Sequence, residues 1–360
     1  MFGMFSRKGP FTASISPANK RVEVQAGDNL LKAALPAGLA WPHNCRVGSC
    51  GECRARLISG RIKPLNDFSY VLDEAELDAG MILACQTSLR SDIEVEISLG
   101  EGGGLPVPKS VSGVIERTRL LTHDITEVHV RLDEPLPAYR AGQYADIWVP
   151  GVIDKPRSYS FATAPVSGDA VEKVSFFVRH IPGGEMSGWL HAESRDGTRI
   201  SLAGPYGNFW LRDSNAPILC VAGGSGLAPI KALLEQISAG GFQRKAILVF
   251  GARTQDDLYC LDELQRIKAQ GNGQFIFAPI LSQEPEASAW DGPRGNCTDM
   301  LAEMAEDLAD YEAYLCGPPI MIDLAIECLT NSGVKTERIY YDKFLDASNL
   351  PGGRAAAVGS

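Results

Sequence analysis

A multidomain chain that opens as α+β and closes as α/β is predicted by three observations: a linker-like break, a run of short alternating strands after it, and a strand-helix alternation in the last third. The break is Gly100-Glu-Gly-Gly-Gly-Leu-Pro-Val-Pro-Lys109, where flexible glycines meet stiff prolines without periodicity. It separates a first module over 10–99 from the rest. Beyond it, Glu127-Val-His-Val-Arg-Leu132 and Tyr144-Ala-Asp-Ile-Trp-Val149 alternate apolar and polar residues, as half-buried strands of an antiparallel barrel do. This second module is expected over 110–212.

Around Pro217 the period changes. Apolar runs Ile218-Leu-Cys-Val-Ala222, Ala246-Ile-Leu-Val-Phe250, Phe275-Ile-Phe-Ala278, Tyr311 to Cys316 and Ile339-Tyr-Tyr341 alternate with helical stretches from about Pro229, near Leu261 and after Pro319. Such alternation implies a parallel sheet with right-handed crossovers, here over 213–345. The Gly- and Ala-rich tail 346–360 has no apolar pattern and is expected to be disordered.

Composition narrows the function classes. The chain has 360 residues and a net charge of −10, yet its first hundred residues carry 11 basic and 11 acidic side chains, so all the acidity lies downstream. An acidic chain lacks the clustered cations that phosphate backbones require, so nucleic acid is not an expected partner. No apolar run approaches the roughly 18 residues of a membrane span. Residues 1–8 lack the apolar stretch and cleavage site of a secretory signal, so the cytoplasm is expected. Nine cysteines are an odd number in a large chain, which argues for thiols and a metal centre over a disulfide framework.

Four of those cysteines have ligand spacing. Cys45, Cys50 and Cys53 form Cys-x4-Cys-x2-Cys, and Cys85 follows after 31 residues, the plant-type [2Fe-2S] pattern. Thiolates suit iron, and Gly48, Ser49 and Gly51 allow the tight turns of a loop that points its amides at sulfur. Structural zinc is the alternative; it also takes four thiolates, although the spacing argues against it. Over residues 10–99 the sequence resembles plant-type ferredoxins, in Cys45-Arg-Val-Gly-Ser-Cys-Gly-Glu-Cys53 and Leu83-Ala-Cys-Gln86. That resemblance implies a β-grasp fold, with electrons leaving near Cys45 and Cys50.

In the second module, Arg157-Ser-Tyr-Ser160 is expected to follow one strand and begin another. Arg157 can bind a flavin diphosphate, Tyr159 can pack on the isoalloxazine, and Ser160 can hydrogen-bond the reactive N5 region, with Ser158 between them. Gly184-Glu-Met-Ser187 stands where a helix should start, so amides near Gly184 and Ser187 can cradle a pyrophosphate. Gly204-Pro-Tyr-Gly207 is expected to close the module as a tight turn around Gly204 and Gly207. Together these resemble the FAD domain of the ferredoxin-NADP reductase superfamily. Thr163 is a modest variation on its pattern, and His180 beside the flavin strand is an ordinary polar residue or a flavin contact.

In the third module, Gly223-Gly-Ser-Gly-Leu-Ala-Pro229 joins an apolar strand to a helix. Gly223, Gly224 and Gly226 let the backbone approach a dinucleotide, Pro229 is preorganised for a first helical turn, and the helix dipole favours a diphosphate. With Phe250-Gly-Ala-Arg253 and Cys316-Gly-Pro-Pro319 the module resembles the NAD(P) domain of the same superfamily. The resemblance implies that Cys316, Gly317 and Pro318 lie beside the nicotinamide, with Cys316 and Ser160 at the hydride-transfer point. It also implies that Phe344 packs near the isoalloxazine, with core packing the alternative. Arg253 could bind a 2′-phosphate, but Asp256 and Asp257 follow at once and would repel one, so NADH is the expected coenzyme.

The order ferredoxin, FAD, NAD resembles the reductase components of bacterial multicomponent oxygenases, of the toluene and phenol monooxygenase and benzoate dioxygenase type. This implies FAD, a [2Fe-2S] cluster and NADH as cofactors, and an oxygenase component or a separate ferredoxin as acceptor. A monomer is expected from the fusion. The alternative is a standalone NADH:acceptor oxidoreductase, and the sequence has no 2-His-1-carboxylate set or Glu-x-x-His repeat for activating oxygen itself.

Overall fold

The computed structural model describes residues 10–48, 50–97, 99, 107–165, 171–271, 273–301, 303 and 308–345. Ser49, residues 100–106 of the expected linker, and the tail 346–360 lie outside them. The chain divides into two units, Met1–Pro108 with Tyr206–Asn208, and Lys109–Pro205 with Phe209–Ser360.

The first unit is built on β1 (Phe11–Ser16), β2 (Lys20–Val24), α1 (Leu30–Ala34), β3 (Arg54–Ser59), β4 (Ile62–Pro64), α2 (Glu74–Asp78), β5 (Met81–Leu83), β6 (Thr87–Leu89) and β7 (Ile93–Glu96). Its mixed sheet has the order β2-β1-β7-β3-β5, with β1 and β7 parallel, and β4 pairs with β6. Alternation decides which face is buried: Ala13 and Ile15, Val22 and Val24, Ile93 and Val95 point inward onto Leu30, Leu31 and Trp41. Both short helices are capped, α1 by the Asn29 side chain and α2 by a reciprocal box between Asp73 and Glu76. This is the β-grasp architecture.

The second unit begins with a barrel of β8 (Lys109–Leu120), β9 (Ile125–Leu136), β10 (Tyr144–Val149), β11 (Ile153–Ser160), β12 (Val171–Arg179) and β13 (Arg199–Tyr206), with α3 (Glu185–Ala192) between the last two. The sheet order is β11-β10-β13-β8-β9-β12. A single bridge between Phe161 and Phe176 brings its two edges together just beyond β11, which curls the sheet toward a barrel. Three local expectations change. Lys109 is the first residue of β8 and lies in no linker. Arg157-Ser-Tyr-Ser160 ends β11 instead of beginning a strand, because its residues pair with β10 through Ser160 opposite Tyr144. Gly204 to Tyr206 continue β13 through a cis Gly204-Pro205 bond, and the turn falls to Gly207 at φ +91°.

The α/β part comprises β14 (Ile218–Gly223), α4 (Leu227–Ala239), β15 (Ala246–Ala252), α5 (Leu261–Gln270), β16 (Phe275–Leu281), β17 (Glu312–Gly317), α6 (Pro319–Asn331) and β18 (Ile339–Lys343). The sheet is parallel in the order β16-β15-β14-β17-β18. Strand order therefore reverses between β14 and β17, and in open parallel sheets ligands bind beyond the strand ends at such a point. The two strands end at Gly223 and Gly317, so the Gly-rich turn and the Cys-Gly-Pro-Pro segment meet there. One buried cluster joins barrel to sheet, with Ile125, Ala162 and Phe177 packed among Leu227, Ile230 and Tyr259.

That meeting explains one glycine outright. A Cβ on Gly226 would lie 2.2 Å from the Cys316 carbonyl oxygen and 2.7 Å from the Gly317 nitrogen, and main chain cannot step aside as a flexible side chain can. Gly226→Ala is expected to lower unfolding stability by about 1–3 kcal/mol through overpacking. Gly240→Ala, whose Cβ would meet only ordinary contacts at 3.5 Å, should stay within roughly 0.5 kcal/mol of the parent. Denaturant unfolding of the two variants checks this, and equal costs would contradict it.

Candidate functional site: three cofactor seats

The four motif cysteines sit on two segments of the first unit. Cys45, Cys50 and Cys53 precede β3, and Cys85 lies in a 3-10 turn after β5. They fall into two pairs. Amide N–H groups of Cys45 and Cys50 each point at the other's Sγ, at 3.5 and 3.3 Å, and the Cys85 N–H points at the Cys53 Sγ at 3.5 Å. The hydrogen bond within each pair, followed by burial, pushes the Cys50 and Cys85 thiols far above their ordinary range, whereas the bond from Cys85 pulls Cys53 down. No three of these sulfurs lie within 4.8 Å of one another. A tetrahedral zinc site would hold all four about 3.8 Å apart, so two-by-two thiols fit a two-iron cluster and not one ion. Gly48 turns at φ +86°, and a Cβ there would strike Gln86 Cγ at 2.6 Å. The pair Cys45 and Cys50 is partly exposed, and Cys53 and Cys85 are buried.

The flavin residues converge at the end of β11. Ser158 donates to Asp146 at 2.7 Å across the strand pair, Tyr159 packs half-buried on the barrel core, and Ser160 is buried. Burial pushes the Tyr159 phenol up, which keeps it neutral. The Arg157 guanidinium donates to the carbonyls of Lys155 and Pro156 and lies 3.8 Å from Glu185, in the first turn of α3. Gly184 is the N-cap and supplies no side-chain oxygen, so the leading amides of α3 have no side-chain cap. An arginine beside an uncapped helix N-terminus suits a diphosphate. The Ser187 hydroxyl accepts the Ile181 N–H at 3.1 Å and so fastens the preceding loop. His180 stacks on His191, ring centroids 4.7 Å apart.

A cleft of about 350 Å³ opens at the strand ends, walled by Gly223, Gly224, Arg253, Asn296, Thr298 and Pro318. Its floor is stiff. The Tyr259 hydroxyl donates to the Gly224 carbonyl at 2.8 Å, and Gly224 takes φ +55°. Pro229 is buried in the first turn of α4. Gly317 adopts φ +146° against the Gly223 carbonyl. Phe344 donates its N–H to the Gly317 carbonyl at 2.9 Å, and its ring packs against the shared core. The Cys316 thiol is fully buried and pushed well above its usual range, first by burial and then by the Asp342 charge. Its sulfur is therefore neutral and packed in the core, and the cleft wall is formed by Pro318 of this segment.

The sequence matches three family models in order: a 2Fe-2S iron-sulfur cluster binding domain over 14–90, an oxidoreductase FAD-binding domain over 112–210, and an oxidoreductase NAD-binding domain over 220–327. It is 40% identical to the xylene/toluene monooxygenase electron transfer component XylA of Pseudomonas putida, over 95% of this chain and 96% of that one. The chain belongs to the three-domain reductase components of multicomponent oxygenases. The phenol 2-monooxygenase reductase component DmpP of Pseudomonas sp. (strain CF600) is 32% identical over 95% of this reductase and 96% of its own length. Among solved structures, the Amycolatopsis cytochrome P450 reductase GcoB superposes with a TM-score of 0.82 at 30% identity, covering 93% of this chain and 98% of that one. The reductase is thus an iron-sulfur flavoprotein oxidoreductase with FAD, a [2Fe-2S] cluster and a nicotinamide coenzyme as cofactors. No helix among the described residues is long and apolar enough to cross a membrane.

Motif reading missed two residues of the reductase's cleft. Asp124 and Arg179 both come from the barrel and belong to no signature. Asp124 accepts from Arg179 Nε at 3.1 Å, from Arg253 at 3.3 Å and from the Thr122 hydroxyl at 3.0 Å. Burial opposes its charge, yet the Thr122 hydrogen bond and the two guanidiniums hold its carboxyl below the usual range. Arg253 also donates twice to Asp257, at 3.1 and 2.7 Å, so it faces two carboxylates. Asp256 is exposed and does not line the cleft. A guanidinium so occupied is a poor partner for a 2′-phosphate. Asp257→Asn should release it from one of its two carboxylates and raise the NADPH-to-NADH ratio of kcat/KM about tenfold, the scale of one charge-assisted hydrogen bond. An unchanged ratio in steady-state kinetics would place Arg253 away from the coenzyme's adenosine ribose.

Proposed function

We propose that the reductase takes hydride from NADH into FAD and sends single electrons through its cluster to the oxygenase component of a multicomponent system, or to a ferredoxin that serves it. The carrying observation is the two-by-two pairing of Cys45 with Cys50 and Cys53 with Cys85, in a chain that also has a coenzyme cleft at a strand-order switch. Two-iron centres exchange one electron, and nicotinamide delivers two as hydride. The flavin supplies the chemistry that converts one currency to the other.

The chain's own groups have separable roles in this reading. Arg157 and the amides of α3 hold the FAD diphosphate, Tyr159 supports the ring face, and Ser160 hydrogen-bonds the N5 edge. The turn 223–226 carries the coenzyme diphosphate on the α4 N-terminus. The main chain of Cys316, Gly317 and Pro318 walls the nicotinamide position, with Phe344 behind it. NADH is preferred because Asp124 and Asp257 occupy Arg253. The partly exposed pair Cys45 and Cys50 marks the side from which electrons leave. The modules run over 10–99, 110–212 and 213–345. One chain supplies every seat, so the unit is a monomer, and its thiols suit the reducing cytoplasm.

Two variants test the order of transfer. Cys50→Ala should lose the cluster, since alanine cannot ligate iron; NADH-dependent ferricyanide reduction from the flavin should survive while reduction of a one-electron protein acceptor is abolished. Arg157→Ala should weaken FAD retention about tenfold or more, as loss of a charge-assisted pair does, and stop both activities in parallel. A Cys50→Ala protein that still reduced the protein acceptor at full rate would show electrons leaving directly from flavin. A parent enzyme that reduced dyes but no oxygenase component or ferredoxin would favour a standalone NADH:acceptor oxidoreductase.

A further inference from the structure

Lysine is almost never buried without a partner, yet Lys231, on the inward face of α4, is 6% exposed. Its ammonium pairs with Glu235 one turn along the helix and also donates to the Ala162 carbonyl at 3.2 Å. The other oxygen of Glu235 accepts the Ala164 N–H at 2.9 Å. One ion pair thus grips a backbone stretch at two points. That stretch follows Ser160 directly, and the barrel holds it from its other side through Phe161 N–H to Gln143, Ala162 N–H to Ser175, and the Tyr139 hydroxyl to Thr163.

The helix that carries the pair begins at the turn 223–226. Barrel and sheet already share an apolar cluster, so adhesion does not require buried charge. Here the cation is buried and Glu235 half-buried, and an ion pair that draws a charge out of water gives up much of its attraction to desolvation and is weak as mere glue. Directional hydrogen bonds to main chain do something apolar packing does not: they set register between the strand end that presents Ser160 and the helix that presents the coenzyme. Hydride transfer needs reacting atoms held about 3–3.5 Å apart in one orientation.

We propose that Lys231 and Glu235 are positioning residues that fix the flavin edge against the nicotinamide. This rests on the reading that hydride passes from a coenzyme on the turn 223–226 to a flavin at Ser160. The test compares the holoenzyme with Lys231→Met and with Lys231→Met/Glu235→Gln; the double variant removes the half-buried carboxylate that the single one leaves without its cation. Four quantities are read: thermal midpoint, FAD content, Ala164 amide hydrogen exchange, and the rate of flavin reduction at saturating NADH with its apparent Kd. Both variants should keep FAD and bind NADH within about twofold, while Ala164 exchanges faster and flavin reduction slows about tenfold or more. The double variant should regain thermal stability without regaining rate. Recovery of rate together with stability, or a parental rate despite faster exchange, would overturn the positioning role. A parent protein whose flavin NADH did not reduce would instead overturn the underlying reading.

Discussion

The coenzyme cleft depends on a contact between two main chains with no side chain between them. At Gly226 the Gly-rich turn comes so close to the carbonyl of Cys316 that even a methyl group would lie 2.2 Å from oxygen. Because β14 and β17 are neighbours at the point where strand order reverses, their ends can be brought together in this way. The result is a cleft at the strand ends in which the backbone of Gly223 and Gly224 and the start of α4 stand beside Arg253, Pro318 and Met321. The glycines serve the packing of protein on protein as much as the approach of a dinucleotide. Tyr259 beneath Gly224 and Phe344 behind Gly317 then hold the two segments in place.

The iron-sulfur seat follows a different logic. Its loop contributes hydrogen-bonding amides and sulfur, and the tight turns at Gly48 and Gly51 give each thiol a partner without bringing all four to one centre. Burial is graded across the pairs, with Cys53 and Cys85 inside and Cys45 and Cys50 nearer solvent. A centre held this way keeps one pair of sulfurs dry and leaves the other nearer solvent, as a carrier requires.

Much of this was legible in the sequence because the chemistry is local there. The cysteine spacing, the Gly-rich turn after an apolar strand and the order of the three motifs are short-range patterns, and the parallel sheet follows from alternating periods. What stayed hidden depends on contacts far apart in the chain. Asp124 and Arg179 have no motif, and they matter because the barrel carries them to the wall of a cleft formed mainly by residues a hundred positions later. Lys231 reads as one more helical lysine until Ala162 is seen beside it. The Ser187 hydroxyl has a task its motif does not announce, since it accepts an N–H from the loop before it. Cys316 is likewise placed by its motif, while the burial of its sulfur comes from the neighbouring strands.

The central claim is a fixed sequence of transfers, hydride to flavin and then single electrons to the cluster. Anaerobic rapid mixing of the holoenzyme with NADH, and with NADH deuterated at the transferred position, tests it most directly when flavin and cluster absorbance are followed together. The account predicts that flavin bleaches first with a primary isotope effect, and that cluster bleaching follows and never runs ahead. Cluster bleaching that preceded the flavin, or a flavin step indifferent to deuterium, would contradict it.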